Sequence, residues 1–227
     1  MKKCILSLAT KNGRYVDGLA RLSNSLRDNA DGIDFIGFVH EYSVGAPLHA
    51  EHPYAFKIHC LQHARNLGYD QVLWLDTSAW AVAPLQPIFD IIDKEGYFFQ
   101  NNGCMLGNWS NDNLLAYAGL SRDEAMDIPM VQGGFMGLNL KKEIGKNILK
   151  QLEEAYLNGV FHGAWHNRDR TESQDERCLG HRHEQSALSA IVHFKGLKGQ
   201  QGDQFVQYGG IYDKIINETI VLKCQGI

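Results

Sequence analysis

The feature that most constrains this chain is Val72-Leu73-Trp74-Leu75, an apolar run that stops abruptly at Asp76. A continuous apolar stretch of strand length has no polar face to offer water, so it belongs in the middle of a sheet covered on both sides. Its neighbours fit that setting. Cys4 to Ala9 is a short apolar strand, Thr10 to Gly13 a polar turn, and Leu19, Leu22 and Leu26 recur at helical spacing. Ile33 to Val39 reads as a second strand. A helix covers about Lys57 to Leu67, with Gly68 placed to end it. Pro84 to Ile92 reads as a helix and Tyr97 to Gln100 as a strand. This βαβαβ order predicts a parallel, doubly wound sheet with right-handed crossovers. Further on, Phe135 to Asn139 reads as a strand, about Lys141 to Asn158 as a long helix, His162 to Gly180 as a polar loop, and about His183 to His193 as a helix. The tail from Phe205 to Leu222 suggests short strands and turns.

With 227 residues, no internal repeat and no linker-like tract, one domain over 1–227 is expected, without disulfide or metal staples. A 44% apolar share excludes intrinsic disorder. Twenty-two basic against 26 acidic residues, net −4, give no global cationic field and argue against nucleic acid as a partner. An anionic ligand therefore needs a few local cations. Met1-Lys2-Lys3 before Cys4 to Ala9 superficially resembles a signal peptide, but six apolar residues are too few, and a buried first strand accounts for them. No apolar run approaches the roughly 20 residues that span a bilayer. Five scattered cysteines without CxxC spacing read as reduced thiols, so a cytoplasmic location is expected.

An acid at the carboxyl end of a central strand sits where ligands bind in open α/β sheets. There Asp76 can hold a divalent cation, accept bonds from a ribose or sugar hydroxyl, or merely cap the following turn. Lys57 and Arg65 are eight residues apart, about 80° around a helix axis, and can share a broad face. His181 and His183 fall on one side of an extended segment, an arrangement compatible with a metal pair. His59 and His63 are i, i+4, but Cys60 stands where a zinc hydrolase of the H-E-x-x-H type carries its acid. Trp74 reads as core. Trp80, Trp109 and Trp165 lie in polar contexts, as a sugar platform or as rim packing.

The segment Lys57, Arg65, Gly68-Tyr69-Asp70-Gln71-Val72-Leu73-Trp74-Leu75-Asp76-Thr77-Ser78-Ala79-Trp80, then Pro84-Leu85, resembles the centre of GT-A-type glycosyltransferases. In that family a basic helix precedes a strand ending in Asp-x-Asp. Ser7-Leu8-Ala9-Thr10 with Tyr15 resembles its opening strand and nucleotide-contacting turn. Gln132-Gly133-Gly134-Phe135-Met136-Gly137-Leu138-Asn139 resembles its glycine-bearing strand beside donor sugar and acceptor. Glu184-Gln185-Ser186-Ala187-Leu188 resembles its Asp-Gln-x-x-Leu helix opening. Two departures stand out: Ser78 replaces the second acid, and Glu184 replaces an Asp.

The resemblance implies a single GT-A-like domain with a mixed, mostly parallel sheet. Residues 1–100 would form its nucleotide-binding half and 101–227 its donor-sugar and acceptor half. It implies transfer of a sugar from a nucleoside-diphosphate sugar to a hydroxyl of a glycan or other acceptor, in carbohydrate biosynthesis. Asp76 and Glu184 are the expected catalytic residues, Glu184 as base for an inverting attack. If Glu184 is not the base, a retaining mechanism without one is favoured. Ala9, Thr10, Arg14, Lys57, Arg65, Ser78, Gln132, Gly133, Gly134, His183 and Gln185 are the expected substrate contacts. Mn²⁺ or Mg²⁺ on Asp76, or protein cations in its place, would take the charge developing on the diphosphate. Two other classes stay open. A sugar nucleotidyltransferase needs a glycine-rich loop after strand one, and Ala9 to Arg14 holds one glycine. A non-catalytic binding relative is suggested by the missing acid.

Overall fold

The computed structural model describes residues 1–10, 13–210 and 212–225. The turn residues Lys11 and Asn12 lie outside this range. In chain order the elements are β1 (Lys3–Ala9), α1 (Gly13–Leu26), β2 (Asp34–Val39), α2 (Ala55–Asn66), β3 (Gln71–Leu75), β4 (Ala79–Ala81), α3 (Gln86–Glu95) and β5 (Tyr97–Phe98). Then come β6 (Asn101–Met105), α4 (Asp112–Ala118), α5 (Arg122–Ala125), β7 (Pro129–Val131), β8 (Phe135–Asn139), α6 (Glu143–Leu157), α7 (Glu184–Phe194), β9 (Val206–Tyr208) and β10 (Leu222–Cys224).

The main sheet has the order β2-β1-β3-β8-β5. β2, β1 and β3 pair in parallel, while β8 runs antiparallel to both β3 and β5. The sheet is thus mixed and mostly parallel, as the resemblance implied, and its one reversed strand departs from the parallel order that the βαβαβ succession predicts. A buried strand pairs equally well in either direction, so periodicity alone cannot show this.

Strand side chains alternate between two cores. Cys4, Leu6 and Leu8 of β1, Val72 and Trp74 of β3, and Met136 and Leu138 of β8 pack with Leu61 of α2, Ile148 and Leu152 of α6 and Leu188 of α7. The alternate residues Ile5, Leu73, Leu75 and Phe135 face Leu22 of α1 and Ile88, Phe89 and Ile92 of α3. Each fully buried Leu, Ile or Phe contributes roughly 1.5–3 kcal/mol of transfer free energy. That two-sided burial is what the unbroken apolar run of β3 required.

The reversal of β8 builds the site. Antiparallel pairing of Leu75 with Phe135 sets the start of β8 beside the end of β3, and the Asp76 amide donates to the Gly134 carbonyl at 2.9 Å. Immediately after Asp76-Thr77-Ser78 the chain enters a second sheet, β4-β10-β9, that brings the C-terminal segment to the same place. β6 and β7 form a separate antiparallel pair. Among the described residues, no helix is long and apolar enough to cross a membrane.

Candidate active site

The carboxyl ends of β1 and β3 open into a cavity of about 970 Å³. Thr10, Tyr15, Asp76 and Ser78 line one part. Gln132, Gly133, Gly134 and Gln185 line another, and Trp109, Trp165 and Arg182 a third.

Its floor is an ion triad. Lys57, in the first turn of α2, is almost wholly buried at 1% exposure. Its ammonium lies 2.5 Å from Glu184 Oε1 and 3.1 Å from Asp76 Oδ1, and donates to the Gly133 carbonyl at 2.9 Å. The rings of Tyr54 and Trp74 flank it at 4.9 and 5.5 Å. A buried ammonium ordinarily loses its proton, but the two carboxylates outweigh burial and hold Lys57 charged, above its usual range. Burial pushes Glu184 up, and Lys57 only partly opposes it. Asp76 is one-third exposed and also accepts from the Trp74 indole at 2.7 Å.

The glycines are a matter of space. A Cβ on Gly133 would sit 2.7 Å from Glu184 Oε1 and 3.0 Å from Gln185 Cβ, and one on Gly134 3.3 Å from Asp76 Oδ2. A side chain at Gly133 would force Glu184 or Gln185 to move, whereas one at Gly134 would ask only a few tenths of an ångström of Asp76.

The structure therefore gathers Thr10, Asp76, Ser78, Gln132, Gly133, Gly134 and Gln185 on the cavity wall, with Lys57 and Glu184 just beneath it. Gln132 Oε1 accepts from the Tyr208 hydroxyl at 2.5 Å. Other expected contacts lie off the cavity wall. Arg65 is exposed at the far end of α2, about 12 Å along the axis from Lys57 at 1.5 Å per residue, and shares no face with it. Ala9 is fully buried at the end of β1, and its carbonyl accepts from the His40 amide. Lys57 touches carboxylates and does not line the cavity. Glu184 is sealed against Lys57 and Gly133, which leaves it badly placed as a general base in this conformation. Arg14 is exposed in the first turn of α1, 5.2 Å from the ring of Tyr15, and it is Tyr15 that lines the cavity.

The two histidines are occupied structurally. His181 Nδ1 accepts from the Asn111 amide at 3.3 Å, so Nε2 carries the hydrogen toward the Val160 carbonyl at 2.9 Å. Burial lowers its pKa to about 3 and keeps it neutral. His183 Nδ1 faces the Phe161 carbonyl at 2.9 Å, and burial lowers its pKa also. Neither ring lines the cavity. Trp80 is buried under the Arg21 guanidinium, and the Trp109 and Trp165 rings both lie on Arg182.

The donor set fits a divalent ion poorly. Asp76 Oδ1 already serves Trp74 and Lys57, and the Ser78 hydroxyl lies 3.1 Å from the Cys224 thiol. Among the described residues no three His, Cys, Asp or Glu side chains converge on one point. One carboxylate oxygen and one engaged hydroxyl are weak competition for water around Mg²⁺ or Mn²⁺.

No protein-family model and no curated protein sequence matches the chain. Solved structures do. A mouse xyloside xylosyltransferase 1 aligns over 99% of this chain and 97% of its own, with TM-score 0.55 and 12% identity. The galactosyltransferase LgtC, solved with donor and acceptor sugar analogues, aligns over 98% and 86%, with TM-score 0.53 and 14% identity. The bifunctional glycosyltransferase WbbM gives TM-score 0.56 and 12% identity over 91% of this chain, which spans only 40% of the WbbM chain. The fold is that of the GT-A glycosyltransferases, as the ordered motifs implied.

Proposed function

We propose that the protein is a glycosyltransferase that moves a sugar from a nucleoside-diphosphate sugar to a hydroxyl of a glycan or similar acceptor. The observation that carries this is the junction at the strand ends in which Asp76 and the Gly133-Gly134 backbone line one large cavity while Lys57 and Glu184, buried just beneath, hold them together. Such a junction has no use in a purely structural core, where three charges cost more to desolvate than apolar residues of equal volume. In this scheme the nucleotide lies along Thr10, Tyr15 and Ser78, from the first half of the chain. The sugar lies on Gly133, Gly134, Gln132 and Gln185, from the second.

Glu184 is then a positioning residue, fixing Lys57 and through it Asp76. With Glu184 sealed, attack from the same face as the departing group fits best. The bond from anomeric carbon to phosphate oxygen breaks, the acceptor oxygen bonds to that carbon, and the hydroxyl proton passes to the leaving phosphate oxygen. The configuration of the sugar is retained.

The test is thermal shift with UDP-, GDP- and dTDP-sugars, with and without Mn²⁺, followed by donor hydrolysis in wild type and Asp76→Ala. Stabilisation by one nucleotide class and hydrolysis lost in the variant are expected; no stabilisation by any would overturn the proposal. The absent second acid favours one other reading, a non-catalytic sugar-nucleotide-binding relative. It predicts stabilisation with no hydrolysis.

A further inference from the structure

One cation in the cavity wall has no role in the scheme above. Arg182 is the single Lys or Arg among the described residues lining the cavity. Its guanidinium lies between two tryptophan faces, 3.6 Å from the Trp109 ring centroid and 3.7 Å from that of Trp165. Among the described residues no carboxylate pairs with it, and its Nη1 is buried with no hydrogen-bond partner. Burial lowers its pKa, with only weak compensation from Cys104 and Tyr54.

The surroundings hold this cation in place. The Arg182 amide donates to Trp109 O and to Ser186 Oγ, both at 3.2 Å. Ser186 Oγ in turn donates to the same Trp109 carbonyl. The next residue, His183, adopts φ 53°, ψ −122°, a region that non-glycine residues avoid at a cost of roughly 1–3 kcal/mol. This kink turns the chain between Arg182, on the cavity side, and Glu184, on the Lys57 side. Guanidinium groups stack on aromatic faces while their edge stays free for a planar, two-pronged oxyanion. An unpaired cation immobilised in this way is costly unless a ligand completes it.

We infer that Arg182 is the anion-binding residue of this cavity, and that the substrate carries a phosphate or carboxylate that it engages through its stacked guanidinium. The inference rests on the glycosyltransferase reading, under which two sources can supply the oxyanion: the donor diphosphate, or an acidic group on the acceptor such as a uronate carboxylate or a sugar phosphate.

Tryptophan fluorescence titration reads the site directly, since two of the four tryptophans flank Arg182. Ligands are UDP, GDP and dTDP against their nucleosides, and methyl glucuronide and glucose 6-phosphate against methyl glucoside. They are tested on wild type, Arg182→Lys and Arg182→Met, with near-UV circular dichroism as the check on folding. An Arg182→Met loss of at least tenfold in affinity for the diphosphates, with nucleosides unmoved, assigns the donor. The same loss confined to the charged glycosides assigns the acceptor. Arg182→Lys, which keeps the charge and loses the fork, is expected between the two. Equal affinities in wild type and a folded Arg182→Met for every charged ligand would overturn the inference and leave the glycosyltransferase reading intact. Arg182-dependent binding of charged glycosides with no nucleotide bound would do the reverse.

Discussion

Trp74 and Asp76 stand two residues apart at the end of β3, and the Trp74 indole donates to Asp76 Oδ1 at 2.7 Å. A fully buried core side chain thus fixes the orientation of the carboxylate at the cavity. Because residues i and i+2 face the same side of a strand, the alternation that buries Trp74 also aims Asp76. Trp74→Phe keeps an aromatic ring but removes the donor and leaves a void. The expected cost is roughly 1–3 kcal/mol in urea denaturation. A fall of about tenfold in donor turnover is also expected if Asp76 swings by one rotamer. Unchanged turnover with lowered stability would show that Asp76 holds its place without the indole.

Lys57 offers a sharper test. Lys57→Met strands Glu184 and part of Asp76 without their cation, for a loss of roughly 3–5 kcal/mol. Adding Glu184→Gln removes one of the stranded charges and is expected to recover part of it. Additive losses in the double variant would mean that the two side chains do not interact in solution.

Gly133→Ala puts a methyl group 2.7 Å from Glu184 Oε1 and 3.0 Å from Gln185 Cβ. The start of α7 has to shift, so donor affinity is expected to fall by at least tenfold in isothermal titration, an effect of about 1.4 kcal/mol. Wild-type affinity in Gly133→Ala would mean that α7 and β8 are less tightly apposed.

His181 predicts a pH dependence. Its pKa is about 3 in the folded chain and 6.5 as a model value. The unfolded chain therefore takes up a proton that the folded one refuses. Stability from this group is complete above pH 6.5 and is lost as pH falls toward 3, with a slope approaching 1.4 kcal/mol per pH unit. Histidine NMR is expected to show one ring that does not titrate between pH 8 and 4. Its titration near 6.5 would contradict the burial of both ring nitrogens.

The single acid of the Asp76-Thr77-Ser78 segment, already engaged by Trp74 and Lys57, predicts indifference to chelation. Donor binding is expected to move less than about threefold on adding EDTA. A loss of tenfold or more, restored by Mn²⁺, would show that the bound nucleotide completes a metal site with Asp76.

Much of this was legible in the sequence, and what was missed was either too short or too distant along the chain. The strands β1, β2, β3 and β8 and the helices α1, α2, α3, α6 and α7 follow from apolar spacing, which is local. The three-residue strands β4 and β7 and the four-residue helix α5 are too short for a period to show. The depth of Lys57 was hidden because its partner Glu184 is 127 positions away. Without that contact, the residue reads as one more cation on a helix beside Arg65. Arg182 gave no signal either: Trp109 and Trp165 are conspicuous in the sequence, but only the fold stacks both on one guanidinium.

The insertion of β8 between β3 and β5 also governs how the chain is assembled. During synthesis β5 emerges beside nothing it can pair with, and its partner follows some forty residues later. The first hundred residues alone carry a three-stranded parallel sheet with an unpaired edge at β3 and a stray strand beyond it. An open, apolar β3 edge invites pairing with another chain. Nascent or truncated forms are most prone to aggregate in the interval before β8 closes that gap, and once it closes, the Gly133-Gly134 backbone stands beside Asp76. Closing the exposed β3 edge and bringing the Gly133-Gly134 backbone to the cavity wall are the same event.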